Sequence, residues 1–501
     1  MNFTDAVRKE INKDGKFTYT ENMGKQFATT KSSLLDLFAT IGAMRQKTNG
    51  EIINAFASAF NENPLMATRM AFYARNIRDG GLGERRTFRI ILKWLGDNHP
   101  SIIRHNANYI AEFGRYDDLY ELVGTKSEET LWNIVQTQFY KDLEDMQAGK
   151  KISLLAKWLK SVNASSKETN RLGKLTAQNL CLHERTYRKI LSKMRAYIDV
   201  VERKMSSSKW SEIDYGGVPS RAMTNYHCAF YKNDPTGFEK YIQMVKDGKV
   251  KINASTLYPY DIVRDYGFFP DSYHGSWFSN IEPDPVLEEQ WKALPNYIAG
   301  QNNILVMADT SGSMSGLPMS IAIGLAVYFA ERNSGAYKDL FLTFSRDPQY
   351  VKISGDTLKE KLSGIKSIVA NTDIEKAFKL ILKTAVDNNV PQEEIPASVI
   401  VISDMEFDES TDGNRSFKTV RKMFENAGYK LPTVVYWNVS QRTTGYQVRS
   451  DTDNVILVSG ASAGTFKNLL STVGTTPYEF MEATLSKEPY TLIDVPDEYK
   501  S

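Results

Sequence analysis

The sequence is poor in cysteine, in histidine and in long apolar runs, and each shortage excludes a class of protein. Two cysteines in 501 residues, Cys181 and Cys228, are too few for a disulfide framework or a cysteine zinc cluster. No apolar run approaches the roughly 18 residues of a membrane-spanning helix. The first ten residues hold no apolar segment of a secretory signal. We therefore expect a cytoplasmic protein without a membrane partner.

Motifs of several common enzyme classes are also missing. No P-loop and no Ser-His-Asp arrangement is visible in the sequence. The run Gly80-Gly81-Leu82-Gly83 lacks the glycine spacing and the preceding strand of a dinucleotide-binding turn. None of the five histidines lies among the candidate metal ligands described below. The prediction is a protein that binds rather than catalyses.

The net charge is small, but it is unevenly distributed along the chain. The whole chain carries +2 at pH 7. Residues 1–300 contain 42 Lys and Arg against 35 Asp and Glu, whereas the remaining residues contain 20 against 25. Within residues 151–200 the ratio is 11 to 3. This asymmetry indicates a polyanionic partner for the first half, although solvated helix faces would produce the same counts.

Apolar residues recur with helical spacing through most of the first half. Successive helical segments are separated by short breaks that carry Gly, Asn, Asp or Pro. We predict an all-α helical-repeat (HEAT-like) domain over residues 31–250, preceded by a polar arm at residues 1–30. Residues 251–300 are rich in proline and aromatic side chains, so we expect them to pack between domains instead of forming a flexible linker.

From residue 301 the pattern changes to strands that alternate with helices. Strands are predicted at 303–308, 339–345, 349–353, 397–403, 433–438 and 454–458. Helices are predicted at 317–332, 357–364, 373–388, 416–427 and 463–471. Strands joined by helices predict a mostly parallel sheet, and therefore an α/β domain of Rossmann-like type over residues 301–475. Residues 476–501 are mixed polar and aromatic, and we expect them to pack back on the helical part.

Hydroxyl and carboxylate side chains occupy three loops of this α/β pattern. They are Asp309, Ser311, Ser313, Thr372 and Asp404. In open α/β sheets, ligands bind at the loops that follow the carboxyl ends of the strands. Oxygen ligands without His or Cys suit Mg²⁺ or Ca²⁺. We predict that the three loops converge on one divalent cation; the alternative is that these residues only cap helices.

Basic residues cluster at two places in the helical half and are the candidate RNA contacts. The first group, around a turn between two helices, is Arg75, Arg78, Arg85, Arg86 and Arg89. The second, with helical spacing on one face, is Arg185, Arg188 and Lys189. Arginine binds phosphate through two parallel hydrogen bonds. The alternatives are a structural turn neutralised by Asp79 and Glu84, and a solvated helix face.

The Asp/Ser/Ser/Thr/Asp set, in this order on an α/β pattern, resembles the metal-ion-dependent adhesion site (MIDAS) of the von Willebrand factor A domain. The resemblance implies that Ser311, Ser313 and Thr372 offer oxygens to Mg²⁺. It also implies that Asp309 and Asp404 act directly or through water. Such hydroxyl-rich coordination leaves one position open for an anionic oxygen of a partner, either a carboxylate or a phosphate.

Four further motifs widen the resemblance. They are RNIRDGGLGER at 75–85, GRYDDL at 114–119, VPSRAM at 218–223 and SDMEFD at 403–408. With the metal motif, they resemble signatures of TROVE-type Ro ribonucleoproteins and, more closely, of uncharacterised plant, fungal and viral relatives. Ro proteins form a ring of helical repeats that binds small and misfolded RNAs. The resemblance therefore implies RNA binding here.

Two main hypotheses for function follow. The first is a non-enzymatic RNA-binding protein that holds small structured or misfolded RNA, and not DNA, on its basic helical domain, with the magnesium-binding A domain as a docking site. The second is a protein-interaction module whose metal captures an acidic side chain of a partner. A metal-dependent hydrolase is a third, because Glu406 and Asp408 lie close to Asp404 in the sequence.

Overall fold

The computed structural model describes residues 17–78, 80–267, 282–298, 303–344, 348–365, 373–409, 416–469 and 474–500. The chain divides into two compact units. Unit 1 comprises Met1–Ala67, Asp79–Leu82 and Ala254–Lys487. Unit 2 comprises Thr68–Arg78, Gly83–Asn253 and Glu488–Ser501. Each unit is therefore assembled from segments that are far apart in the sequence.

Eight strands and twenty α-helices are described. The strands are β1 (Phe17–Tyr19), β2 (Lys25–Phe27), β3 (Ile304–Asp309), β4 (Leu340–Phe344), β5 (Gln349–Lys352), β6 (Ser398–Ser403), β7 (Thr433–Asn438) and β8 (Val455–Ser459). The first ten helices are α1 (Ser33–Phe38), α2 (Asn49–Glu62), α3 (Pro64–Arg75), α4 (Arg85–Asn98), α5 (Pro100–Phe113), α6 (Glu128–Gln147), α7 (Leu155–Trp158), α8 (Lys167–Asn179), α9 (Glu184–Ile198) and α10 (Val201–Ser206). The others are α11 (Ser220–Asn233), α12 (Pro235–Lys246), α13 (Pro259–Asp265), α14 (Pro285–Lys292), α15 (Leu317–Arg332), α16 (Leu358–Ser363), α17 (Ile374–Asp387), α18 (Ser416–Asn426), α19 (Phe466–Leu469) and α20 (Pro477–Leu485).

A mixed six-stranded sheet organises unit 1. The strand order is β5-β4-β3-β6-β7-β8, and only the β4–β5 pair is antiparallel. The chain moves outward from β3 to β5 on one side and from β6 to β8 on the other, so the order reverses between β3 and β6. The predicted combination of a helical part with an α/β part is confirmed at this level. The carboxyl ends of β3 and β6 flank the reversal, which is where ligands bind in such sheets.

The central strands are apolar over most of their length because the sheet is covered on both faces. Every residue of β3 is buried, and the central helix α15 is buried from Pro318 to Ala330. Gly324 of α15 lets α13 approach closely, since a β-carbon there would lie 2.9 Å from the backbone nitrogen of Tyr260. Residues 259–263 of the proline-rich segment are thus part of the core of unit 1.

The N-terminal residues also differ from the polar arm that the sequence predicts. β1 and β2 form an antiparallel hairpin in which Phe17 pairs with Phe27. Beyond the hairpin, Phe27 exchanges backbone hydrogen bonds of 2.8 and 2.9 Å with Tyr446. Residues 17–67 belong to unit 1 and not to the helical unit. Two strands of three residues are too short to show a β-pattern in the sequence.

Unit 2 is helical and includes α4 to α12. Its C-terminal residues are held by polar contacts, because Asn106 Nδ2 donates to the Asp494 carbonyl at 2.7 Å and Arg69 Nε donates to the Ile493 carbonyl at 3.1 Å. Among the described residues, none of the helices of either unit is both long enough and apolar enough to cross a lipid bilayer.

Candidate functional site

Two adjacent strands of the sheet bring the predicted carboxylates together. Asp309 is the last residue of β3, and Asp404 directly follows β6. The two strands pair in parallel, with Ala308 opposite Ile402. Both carboxylates are buried, with 0% and 2% of their surface exposed. The parallel register therefore places both acids at the same end of the sheet.

The loop after β3 folds its hydroxyl groups around Asp309. Oδ1 of Asp309 accepts a hydrogen bond of 2.9 Å from the backbone nitrogen of Ser311. The hydroxyl oxygens of Ser311 and Ser313 lie 3.0 Å apart. The hydroxyl group of Ser403, which was not among the predicted ligands, donates to Oδ2 of Asp309 at 2.6 Å. Three predicted residues and one unpredicted serine thus form a single cluster.

Asp404 leaves one oxygen without a hydrogen-bond donor. Its Oδ1 accepts from the backbone nitrogen of Glu406 at 3.3 Å. Its Oδ2 is buried and has no partner at hydrogen-bond distance among the described residues, although the nearby hydroxyl group of Ser313 lowers the pKa of this carboxyl group. A buried carboxylate oxygen without a partner is costly. A cation at this position would supply the missing interaction.

The raised pKa values of the two aspartates also favour a cation at this cluster. Burial and the neighbouring Asp404 carboxylate raise the pKa of Asp309 to about 7. Burial also raises the pKa of Asp404. Two desolvated carboxylates that repel each other are the environment that a divalent cation relieves.

The described donor set is rich in hydroxyl groups and poor in charge. Among the described residues, no group of three or more His, Cys, Asp or Glu side chains is arranged to hold a metal. An ion here would therefore depend on the oxygens of Ser311 and Ser313 as well as on the two aspartates. Oxygen ligands of this kind fit Mg²⁺. The fifth predicted ligand, Thr372, lies outside the described residues.

Glu406 is a buried residue near the site whose role was not predicted. Its Oε2 accepts from the backbone nitrogen of Glu21 at 2.8 Å. Its Oε1 accepts from the hydroxyl group and the backbone nitrogen of Thr443 at 2.6 and 3.1 Å. Both oxygens are committed to neighbouring chain segments. Glu406 therefore holds the loop after β6 in place.

The N-terminal hairpin makes three more hydrogen bonds to the same loop. The hydroxyl group of Thr20 donates to the Phe407 carbonyl at 2.6 Å. Asn22 Nδ2 donates to the Glu406 carbonyl at 2.9 Å. Gln26 Nε2 donates to the Met405 carbonyl, also at 2.9 Å. A segment nearly 400 residues away in the chain thus fixes the loop that carries Asp404.

The first group of predicted RNA contacts contains a network of ion pairs. Arg75 is 2% exposed, and its Nε lies 2.7 Å from Oδ2 of Asp118. Arg89 binds Asp118 at 2.6 Å and Asp117 at 2.9 Å. Arg85, which is more exposed, lies 3.3 Å from Asp117. Asp117 and Asp118 of the GRYDDL motif, which the sequence did not suggest as partners, therefore pair with these arginines. Asp79, one of the two acids that were expected to do so, lies outside the described residues.

The remaining predicted RNA contacts are at the surface of unit 2. Arg78 and Arg86 are exposed on either side of the turn between α3 and α4. Arg185, Arg188 and Lys189 are all exposed on α9. These five residues are accessible to a partner, and their role as RNA contacts stays a prediction. The sequence could not separate them from Arg75, whose ion pair joins residues 43 positions apart.

Fold and site together define a two-part protein, with a helical unit and an α/β unit that carries a carboxylate–hydroxyl cluster at the reversal point of its sheet. The chain belongs to the family described as "Domain of unknown function (DUF2828)", which matches residues 20–151 and 155–303. Residues 303–490 match "Domain of unknown function (DUF7788)". The chain is also similar to "Uncharacterized protein L728" of Acanthamoeba polyphaga mimivirus, at 27% identity over 95% of this chain and 88% of the relative.

Proposed function

We propose that this protein is a non-enzymatic RNA-binding protein whose α/β unit holds a divalent cation as a docking point. The observation that carries the RNA part is the exposed stripe Arg185, Arg188 and Lys189, in a segment with 11 basic and 3 acidic residues. Phosphate groups bind such a surface through charge, largely without regard to sequence. The similarity to Ro ribonucleoproteins supports the same interpretation as an analogy of fold.

The finer fold assignment belongs to this proposal. The strand order and the positions of the acidic loops support a von Willebrand A-like domain with a metal-ion-dependent adhesion site. The succession of helices in unit 2 supports HEAT-like repeats of the TROVE type. Both assignments rest on resemblance together with geometry that is compatible with it.

Ser311, Ser313, Thr372, Asp309 and Asp404 would hold the cation. When bound, Mg²⁺ supplies a Lewis-acidic position that attracts an anionic oxygen. Ser403 orients Asp309, and Glu406 holds the loop of Asp404. Both oxygens of Glu406 accept hydrogen bonds, so this carboxylate is not available as a general base, which favours docking over hydrolysis.

The test of RNA binding is a salt titration of the purified protein against a mixed pool of labelled RNAs. We expect binding at low salt that weakens steeply as salt rises. A protein that binds no RNA at low salt would contradict the proposal. The metal part is tested separately with Asp309→Ala, which should abolish the stabilisation against heat that Mg²⁺ provides to the original protein.

A second candidate function is supported by the orphaned Oδ2 of Asp404 and by Ser313, which is only half buried. In this alternative the cation captures a carboxylate of a partner protein, and unit 2 is a scaffold. A glutamate-containing peptide should then bind with Mg²⁺ and be released by a chelator. RNA binding that is unaffected by the chelator, together with no peptide binding, would favour the first function.

A further inference from the structure

Unit 2 contains an open groove beside helix α9. Its volume is about 1030 Å³. Helix α9 contributes residues 186–193 and Arg195, and the other lining residues are 161–163, Val200 and Arg203. The last two lie beyond a sharp turn at Asp199, whose left-handed backbone (φ 55°) ends α9. The groove is therefore lined by three separate chain segments.

Hydrogen bonds hold α9 against one of these segments. Arg195 donates from Nε to the Ala156 carbonyl at 2.9 Å and from Nη2 to the Leu159 carbonyl at 2.7 Å. Its Nη1 donates to the hydroxyl group of Ser161 at 3.0 Å. The hydroxyl group of Tyr187 donates to the Lys160 carbonyl at 2.7 Å. The shape of the groove is thus set by buried contacts before any ligand arrives.

The surface of the groove carries positive charge that the protein does not neutralise. Arg188, Lys189, Lys193 and Arg203 are exposed, and none forms an ion pair with a described residue. None of the lining residues, all of which are described, is acidic. In the Arg75 and Arg89 network, by contrast, aspartates compensate the charge. The groove therefore brings together positively charged side chains of α9 and α10 that no acidic residue of the described chain neutralises.

The lining chemistry distinguishes between kinds of nucleic acid. Proteins that bind single-stranded nucleic acid stack its bases on exposed aromatic rings. All residues that line this groove are described, and Tyr187 is the one aromatic residue among them; its side chain is buried. Polar groups that suit phosphate and ribose hydroxyl oxygens are present at Ser161, Asn163, Thr186 and Ser192. From Arg188 to Arg195, α9 rises about 10 Å. These features favour contacts to a backbone over contacts to bases.

We propose that this groove binds the sugar–phosphate backbone of double-stranded RNA. This inference rests on the proposed RNA-binding function and assigns it a site and a substrate class. Arg188 and Arg203 would bind phosphates through paired hydrogen bonds, and Lys189 and Lys193 would act as point charges. An RNA backbone presents a regular row of anionic oxygens to these four cations, which have no ion-pair partner among the described residues.

The test measures fluorescence anisotropy with a labelled RNA duplex of about 20 base pairs, long enough to cover such a site, and with one of its single strands. The full chain is compared with Arg188→Glu/Lys189→Glu on α9 and with Arg203→Glu on α10. We expect the original protein to bind the duplex more tightly than the single strand. The double variant should weaken duplex binding about tenfold or more, and the logarithmic salt slope should fall by about 1 for each phosphate that the variant no longer neutralises.

Lys240→Glu/Lys246→Glu provides the matched control, since it reverses the same charge at two exposed positions of α12 outside the groove. This control should bind the duplex more tightly than the groove double variant, because its two charge reversals lie outside the groove. Circular dichroism and thermal melting establish that each variant is folded. Because the Arg203 variant lies on a different helix, it repeats the test if the double variant does not fold.

The outcomes separate the two proposals. No binding of any RNA by the original protein would overturn the proposed function and this inference together. RNA binding that neither groove variant weakens would overturn only the groove, because RNA would then bind elsewhere. Tighter binding of the single strand, or equally effective competition by polyglutamate, would overturn double-stranded RNA as the ligand.

Discussion

Ser403 donates a hydrogen bond of 2.6 Å from its hydroxyl group to Oδ2 of Asp309, and so joins the ends of β6 and β3. The same hydroxyl oxygen accepts from the backbone nitrogen of Met405 at 2.9 Å. One serine therefore orients a carboxylate of the candidate metal site and shapes the loop that carries Asp404. Partners of this kind control metal affinity although they do not touch the ion.

Replacing Ser403 with alanine should weaken Mg²⁺ binding about 10–100-fold, because Asp309 loses the donor that fixes its orientation. Isothermal titration calorimetry measures the affinity directly. Ser398→Ala is the matched control, as it changes the same residue type at the opposite end of β6. Equal affinities for the two variants would contradict a positioning role for Ser403.

Glu406→Gln should destabilise unit 1 by about 1–3 kcal/mol, because one of its engaged oxygens becomes an amide that faces a donor. Denaturant unfolding measures the free energy of unfolding. Glu21→Gln is the control, since only the backbone nitrogen of Glu21 contacts Glu406 and its own side chain is mainly exposed. A loss of less than about 0.5 kcal/mol, typical of a surface change, would show that the Glu406 contacts are dispensable.

Asp118→Asn should destabilise unit 2 by about 3–5 kcal/mol, because it removes a charge partner from the buried side chain of Arg75. Chemical denaturation is again the measurement. Arg171→Gln breaks an exposed pair with Glu168 and should cost at most about 1 kcal/mol. A similar loss in the free energy of unfolding for the two variants would contradict a large contribution of the Arg75–Asp118 ion pair to stability.

The stability of unit 2 should decrease as the pH falls below the ordinary pKa of histidine, because of His99. Burial lowers the pKa of His99 below its ordinary value of 6.5, and the ring lies against Tyr499 and Trp94. Because the pKa of His99 is lower in the folded state than in the unfolded state, its contribution to the free energy of unfolding is fully present above the unfolded-state pKa. That contribution is lost as the pH falls through the folded-state pKa. Thermal melting between about pH 7.5 and 5 checks this around the ordinary histidine pKa, and His99→Asn should flatten that part of the pH profile.

Much of the α/β architecture could be predicted because it is encoded locally. Apolar runs that end in polar residues placed β3 and β6 within one residue of their observed positions, and α15 at its observed bounds. Asp309 and Asp404 directly follow predicted strands, and Ser311 and Ser313 lie in the loop after the first of them, so local pattern was enough to propose all four as ligands. Thr372 stays a prediction, as does the identity of the ion.

Local patterns could not reveal which distant groups neutralise or hold these residues. The pairing of Arg75 with Asp118 depends on the packing of α3 against the segment after α5, and the hairpin contacts to Met405 and Phe407 join the two halves of unit 1. The spacing of apolar residues along a helix or strand indicates only which of its faces is buried. It carries no information on the partner across the interface.

The amino-acid sequence alone therefore determined the helical and α/β character of the two parts, the carboxylate–hydroxyl loops and the positions of the surface cations, because strand ends, helix periods and charge are local properties. Tertiary structure decided that residues 17–67 join unit 1, that Ser403 orients Asp309, and that Arg188 and Arg203 share one groove. The residues in each of these relationships are distant in the sequence, and only folding brings them into contact. Their hydrogen bonds and their burial depend on that contact, so local sequence patterns cannot predict them.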